Sequence, residues 1–198
     1  MKAWLMDGDG AESPRAPHHR TPDTPVSLEE LKHLGVLYWY LDPKEYSADD
    51  TDAPAKKQMQ AIRAERRYAH ADEVVCSAAG MGDAFPAKCA SFFEEHLHED
   101  EEIRYILDGS GYFDIRSPTD AWVRIAVTPG DMIVLPAGAY HRFTVDEAAS
   151  VRAVRLFRDA PAWTPIARGA GLGEGDDLSC RKSYLASLAG GEGATAAS

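Results

Sequence analysis

Short β-type runs broken at regular intervals by glycine and proline predict a mainly β protein with a few helices, a sandwich or a closed barrel. Two observations carry that prediction. From His96 onward the runs Ile103–Leu107, Tyr112–Arg116, Trp122–Val127, Met132–Leu135, His141–Val145 and Val151–Phe157 are separated by turn signals at Gly109-Ser110-Gly111, Ser117–Asp120, Pro129-Gly130-Asp131 and Pro136–Gly138. Helix signals are confined to residues before His96, so the helices form an N-terminal segment and not the crossovers of a parallel sheet.

The elements follow in order. Pro14, Pro17, Pro22 and Pro25 interrupt any regular structure in the first 25 residues, where Ala3 to Met6 is the one short strand. Ser27 and Glu30 have capping-box spacing, Leu28, Leu31 and Leu34 make one stripe, and Gly35 ends the helix. Val36 to Leu41 is apolar and aromatic. A second helix is predicted from Pro54 to about Tyr68, with Met59 and Ile62 inward and Lys56, Lys57, Arg63, Arg66 and Arg67 on a solvated face. Val74-Val75 is a short strand and Gly80 to Asp83 a turn; a third helix from Phe85 to Glu95 buries Phe85, Cys89, Phe92 and Phe93. Residues 1–25 read as an irregular segment, 26–188 as a single domain whose barrel core spans about 93–165, and 189–198 as a small, polar, disordered tail. Order is expected to decay after Phe157.

The 198 residues suit one core. With 21 Lys+Arg against 32 Asp+Glu the net charge is −11, which excludes broad nucleic-acid binding and docking on anionic membranes. Cys76, Cys89 and Cys180 are odd in number and lack CxxC spacing, as expected of free thiols in a reducing compartment. Neither a signal peptide at Met1 to Gly10 nor a membrane helix is foreseen, and a soluble, intracellular protein is expected. The strands offer no large exposed apolar patch, so a monomer is expected.

His18, His19, His33 and His70 have no mutual ligand spacing and read as surface residues. The other three histidines are arranged differently. In His96-Leu97-His98-Glu99-Asp100-Glu101-Glu102-Ile103-Arg104, equal parity points His96, His98, Glu102 and Arg104 to one side if the pleat continues, and gives Leu97, Ile103 and Tyr105 the apolar side. Imidazoles and a carboxylate converging inside a barrel imply a divalent cation, because unpaired buried charge is costly. Gly130 opens the Asp131-Met132-Ile133-Val134-Leu135 strand, Pro136 and Gly138 form a tight turn, and His141 supplies a third imidazole. One carboxylate and three imidazoles leave two open positions on an octahedral ion, and the ligand set alone admits Fe(II), Ni(II), Co(II), Mn(II) or Zn(II).

Together the two groups match the cupin motifs HxHx3Ex6G (His96, His98, Glu102, Gly109) and Gx5PxGx2H (Gly130, Pro136, Gly138, His141). The segments HLHEDEEIRYILDGSGYFDIR, GDMIVLPAGAYHRFTVDE and RLFRDAPAWTP, with AWLMD and LKHLGVLYWYLD nearer the N-terminus, resemble the acireductone dioxygenase family in its eukaryotic-type form. The resemblance runs over roughly residues 1 to 188 and is clearest from Phe93 to Pro165. It departs at Glu99, between Cys76 and Phe85, and at Val145, none of which is a proposed ligand.

The resemblance implies a cupin double-stranded β-helix, or jelly-roll barrel, and one Fe(II) or Ni(II) ion per chain. It implies an acireductone substrate that binds as an enediolate and is cleaved with O2, in the cytoplasm and also the nucleus, within methionine salvage. Iron would give formate and 4-methylthio-2-oxobutanoate; nickel would give formate, carbon monoxide and 3-(methylthio)propanoate. Arg104 is expected to bind the anionic substrate and act catalytically, with a salt bridge to Glu95 or Asp131 as the alternative. Phe93 and Phe143 are expected to wall the methylthio chain, with core packing as the alternative. Among Glu94, Glu95, Glu99, Asp100 and Glu101 a general base is conceivable, but a solvated acidic loop is the plainer expectation. Two other readings stay open on the residues: a different cupin enzyme, such as another dioxygenase or a sugar isomerase, which would not consume O2 with acireductone, and a metal-stabilised binding cupin without turnover.

Overall fold

A computed structural model describes residues 1–8, 13–159, 164–169 and 174–191. Its core is a pair of antiparallel sheets, as expected for a jelly-roll barrel. In chain order the N-terminal elements are β1 (Lys2–Leu5), β2 (Pro25–Val26), α1 (Leu28–His33), β3 (Leu37–Tyr40), α2 (Pro54–Arg66), β4 (His70–Ser77), α3 (Ala78–Met81) and α4 (Phe85–Phe93). The barrel strands follow: β5 (His96–Leu97), β6 (Glu102–Gly109), β7 (Gly111–Arg116), β8 (Trp122–Val127), β9 (Asp131–Leu135), β10 (His141–Val145) and β11 (Ser150–Phe157). The chain then adds β12 (Ile166–Ala167), α5 (Glu174–Asp177) and α6 (Ser179–Gly191). One sheet runs β12-β5-β10-β7-β8-β1-β2 and the other β3-β9-β6-β11-β4.

The sequence places the barrel core at about 93–165, but four strands from before residue 93 complete the two sheets. Ser27 and Glu30 form the expected capping box, although α1 buries Leu31 and Leu34 while Leu28 stays exposed. In α4 only Phe85 is fully buried; Cys89, Phe92 and Phe93 are half-buried. The strand expected at Val74-Val75 extends over all of β4, because its backbone pairs residue for residue with β11. The three cysteines are free thiols, and burial beside Cys89 pushes the Cys76 thiol up to about 12. No described helix is long and apolar enough to cross a membrane.

Two apolar layers sandwich the five-stranded sheet. On its inner face Ile106, Ile133, Leu135, Val151 and Ala153 join Phe113, Ile115, Val123, Ile125 and Val127 of the opposite sheet. On its outer face Ile103, Tyr105, Met132, Val134, Val154 and Leu156 lie under Ala55, Met59 and Ile62 of α2. Both faces of β6 and β9 are therefore covered, which explains a run such as Met132–Leu135 with no polar alternation. The seven-stranded sheet carries a buried charge network on its outer face. Asp114 accepts from Arg124 at 2.7 and 2.8 Å and from Arg142 at 2.8 Å, and Arg124 also donates to the carbonyls of Pro14 and Ala16. The proline-rich N-terminal segment is strapped to the barrel by these bonds. His18 belongs to that strap: it is 5% exposed, with Nδ1 3.2 Å from Asp7 and Nε2 2.9 Å from the Ser13 carbonyl. The expectation of a surface residue is corrected there, while His19, His33 and His70 are exposed.

Order also continues past Phe157. β12 pairs with β5, and α6 carries regular structure to Gly191, into the stretch read as a tail; 192–198 lie outside the described residues. The layer under α2 should be the most sensitive to truncation. Met59 is 1% exposed, and Met59→Ala should destabilise the fold by about 2–5 kcal/mol. Urea unfolding should show a lower midpoint at an unchanged slope.

Candidate metal centre

His96, His98, Glu102 and His141 are all buried, and one potential ligand atom from each lies within 4.8 Å of the others. They come from both sheets. His96 and His141 are directly paired across β5 and β10 in the seven-stranded sheet, whereas Glu102 opens β6 in the other. The pleat assumed to run from His96 to Arg104 is broken between His98 and Glu101, where the chain crosses from one sheet to the other. Convergence survives because the crossing returns the chain to the same interior. The imidazole centroids are 4.6 Å apart for His96 and His141, 4.9 Å for His96 and His98, and 5.3 Å for His98 and His141.

Backbone carbonyls orient two of the rings. His96 Nδ1 lies 2.7 Å from the Glu94 carbonyl and His141 Nδ1 2.9 Å from the Ala139 carbonyl. Each Nδ1 is thereby assigned as the donor, which leaves Nε2 facing the cluster as a lone-pair donor to a cation. The Glu102 carboxylate is 3.2 Å from His98 Nε2 and 3.4 Å from His141 Nε2 on one oxygen, and 3.2 Å from Arg104 Nη2 on the other. Burial opposes ionisation of Glu102, but Arg104, His141 and His98 outweigh it and hold the carboxyl well below its usual range. Burial, reinforced by His141, brings His96 down to about 4, so its imidazole is neutral at physiological pH. Neutral imidazoles, an ionised carboxylate and ligand bonds of about 2.1 Å are what a divalent ion requires. The donor set of these four side chains fits one such ion.

Arg104 takes neither alternative partner named from the sequence. It points inward on β6 and pairs with Glu102, while Asp131 is held by the Met1 ammonium at 3.0 Å and the Tyr38 hydroxyl at 2.9 Å. Glu95 is bound by Arg116 at 2.8 and 3.0 Å and by Arg168 at 2.9 Å. Phe143 shares the inner face with His141, its ring 4.8 Å from Phe113 and 6.5 Å from Phe92. Phe93 does not join it: its ring lies 4.1 Å below the Arg142 guanidinium, with Asp114 on the outer face. The acidic loop is also less solvated than expected. Glu101 accepts from Arg66 at 2.5 Å, Tyr68 at 2.6 Å and Arg158 at 2.9 Å, which ties the sheet crossing between two ligands to the end of α2.

The supporting roles of Glu94, Ala139 and Glu101 are not legible in the sequence, since carbonyl direction and pairing between distant segments leave no mark on residue spacing. Glu95, directly before the first ligand, gives a pH test. Burial would raise its pKa, but the bonds from Arg116 and Arg168 outweigh that and lower it. The stabilisation is present above the unfolded value of about 4.5 and lost as pH falls through the lower folded value. Glu95→Gln should therefore lower the melting temperature at pH 7, and the gap from the unsubstituted chain should narrow as pH falls below about 4.5 and through the lowered folded value. A gap unchanged across that range would contradict the pairing.

Known proteins resemble this chain across nearly all its length. The profile of the ARD/ARD' family matches residues 2–165. Acireductone dioxygenase 1 of Physcomitrium patens is 49% identical over 185 residues, covering 93% of this chain and 88% of that protein. Acireductone dioxygenase of Rattus norvegicus is 47% identical over 190 residues, covering 96% and 98%. Among solved structures, an acireductone dioxygenase from Bacillus anthracis with a cadmium ion in its active centre superposes with a TM-score of 0.65 at 23% identity, over 84% of this chain and 98% of that one. That likeness concerns the fold, a cupin barrel, while the sequence match is what fixes kinship: the chain belongs to the ARD/ARD' family.

Proposed function

We propose that this chain is an acireductone dioxygenase of methionine salvage that cleaves 1,2-dihydroxy-5-(methylthio)pent-1-en-3-one with O2. The observation that carries the reading is the buried set of three imidazoles and one carboxylate with an inward guanidinium at its edge. Nε2 of His96, His98 and His141 and the Glu102 carboxylate would hold one Fe(II) or Ni(II) ion, whose Lewis acidity favours the enediolate form of the substrate. The iron form would release formate and 4-methylthio-2-oxobutanoate; the nickel form formate, carbon monoxide and 3-(methylthio)propanoate.

The chain's own groups do the rest. Arg104, paired with Glu102 on the inner face of β6, would offer a charge-assisted N–H to an enediolate oxygen. Phe143, backed by Phe113, offers an apolar wall to the methylthio end, and sulfur packs favourably against ring edges. Ile133 and Leu135 on the facing strand exclude water from the same interior. A monomer acting in the cytoplasm and nucleus belongs to the same proposal.

The test is O2 uptake with acireductone, with formate and carbon monoxide measured for each metal. His96→Ala should abolish turnover and reduce bound metal; full activity in that variant overturns the site. Arg104→Met should weaken substrate binding by about 10- to 100-fold, the loss of one charge-assisted hydrogen bond. The effect should appear in kcat/KM while some metal is retained.

A further inference from the structure

The segment C-terminal to residue 165 lies beyond the stretch matched by the family profile, and none of its described residues belongs to the four-residue cluster, yet it touches both ends of that cluster. β12 pairs with β5 so that Ala167 stands opposite His96, and the Arg168 N–H donates to the Glu95 carbonyl at 3.1 Å. Arg168 also binds the Asp120 carboxylate at 2.6 Å and Glu95 at 2.9 Å. Farther on, α6 sits on the turn that leads into His141. Arg181 Nη1 donates to the Gly138 carbonyl at 3.1 Å, and its guanidinium lies 4.6 Å from the Tyr140 ring, which Arg168 approaches from 5.1 Å. Tyr184 donates to the Leu34 carbonyl at 3.1 Å and fixes the same helix to the end of α1.

The fit at Gly138 is close. Its φ is +77°, and a Cβ there would stand 2.5 Å from the Cys180 carbonyl oxygen, so only glycine allows α6 to approach. That turn governs two ligands at once: the Gly138 N–H donates to the His98 carbonyl at 2.9 Å, and the Ala139 carbonyl orients the His141 ring. A displacement of the turn therefore moves both imidazoles.

We propose that Arg181 is a positioning residue of the metal centre, holding the Pro136–Tyr140 turn so that His98 and His141 keep their ligating geometry. This rests on the four side chains being a metal site, and it adds that α6 sets how long the ion is retained. Loss of such supporting partners weakens metal sites by about 10- to 100-fold. The full-length chain, loaded with Ni(II), would be mixed with excess chelator and the release of metal followed. Arg181→Met, which keeps most of the apolar stem and removes the guanidinium, should release Ni(II) about 10- to 100-fold faster. Arg181→Lys, able to donate once to Gly138, should fall between.

The metal-stripped forms serve as the stability control. Melting temperatures of wild type and Arg181→Met within a few degrees, together with faster release, support positioning. A fall of more than about 10 °C in the stripped form would mark a fold-wide role and overturn it. Release rates within about twofold of each other would also overturn it. Wild type that binds Ni(II) no better than His96→Ala would defeat the metal-site reading itself, a result separate from either outcome for Arg181.

Discussion

Glu102 places an ionised carboxylate between two sheets, 7% exposed, where the cost of an uncompensated charge is several kcal/mol. Much of the neighbourhood can be read as the answer to that cost. Arg104 supplies a permanent cation two residues away on the same face, and two imidazoles turn their Nε2 atoms to one carboxylate oxygen. Removing any one of these leaves the others with a buried charge and too few partners. A divalent ion answers the same requirement more completely, since it satisfies the carboxylate and three lone pairs together.

The scaffold achieves this through strict alternation on β6. Glu102 and Arg104 face the interior while Ile103 and Tyr105 are sealed under α2. A one-residue slip of the β6–β9 pairing would put both charges under the helix and two apolar side chains in the cavity, so the burial of each face fixes the register. The irregular crossing from His98 to Glu101 has no such ladder to hold it. Glu101, gripped by Arg66, Tyr68 and Arg158, takes that task, as Glu95 with Arg116 and Arg168 does ahead of His96. Glu95 and Glu101 thus act as anchors outside the cluster, while Arg104 supplies positive charge to the interior between the sheets.

Period-2 alternation and turn chemistry act locally, and for that reason the sequence by itself determined the strands from Ile103 to Phe157, the capped α1, the inward residues of α2 and which four side chains make up the buried His/Glu cluster. The motif spacing held even though the continuous pleat assumed between His96 and Glu102 did not, because the motif reports where the chain arrives and not the route it takes. What only the tertiary structure decided are pairings between residues far apart in sequence. Phe93, close before His96, turned to the outer face, where Arg142, held by Asp114, offers its ring a cation. His18 is buried because Arg124 draws the proline-rich segment over the barrel. α6 lies in a stretch whose glycines and alanines give no periodic signal, and it is ordered by what it meets: the Gly138 carbonyl, the Tyr140 ring and the end of α1. Residue types and spacing carry the chemistry of a ligand set, but the direction of a carbonyl and the partner of a guanidinium depend on chain segments that only folding brings together.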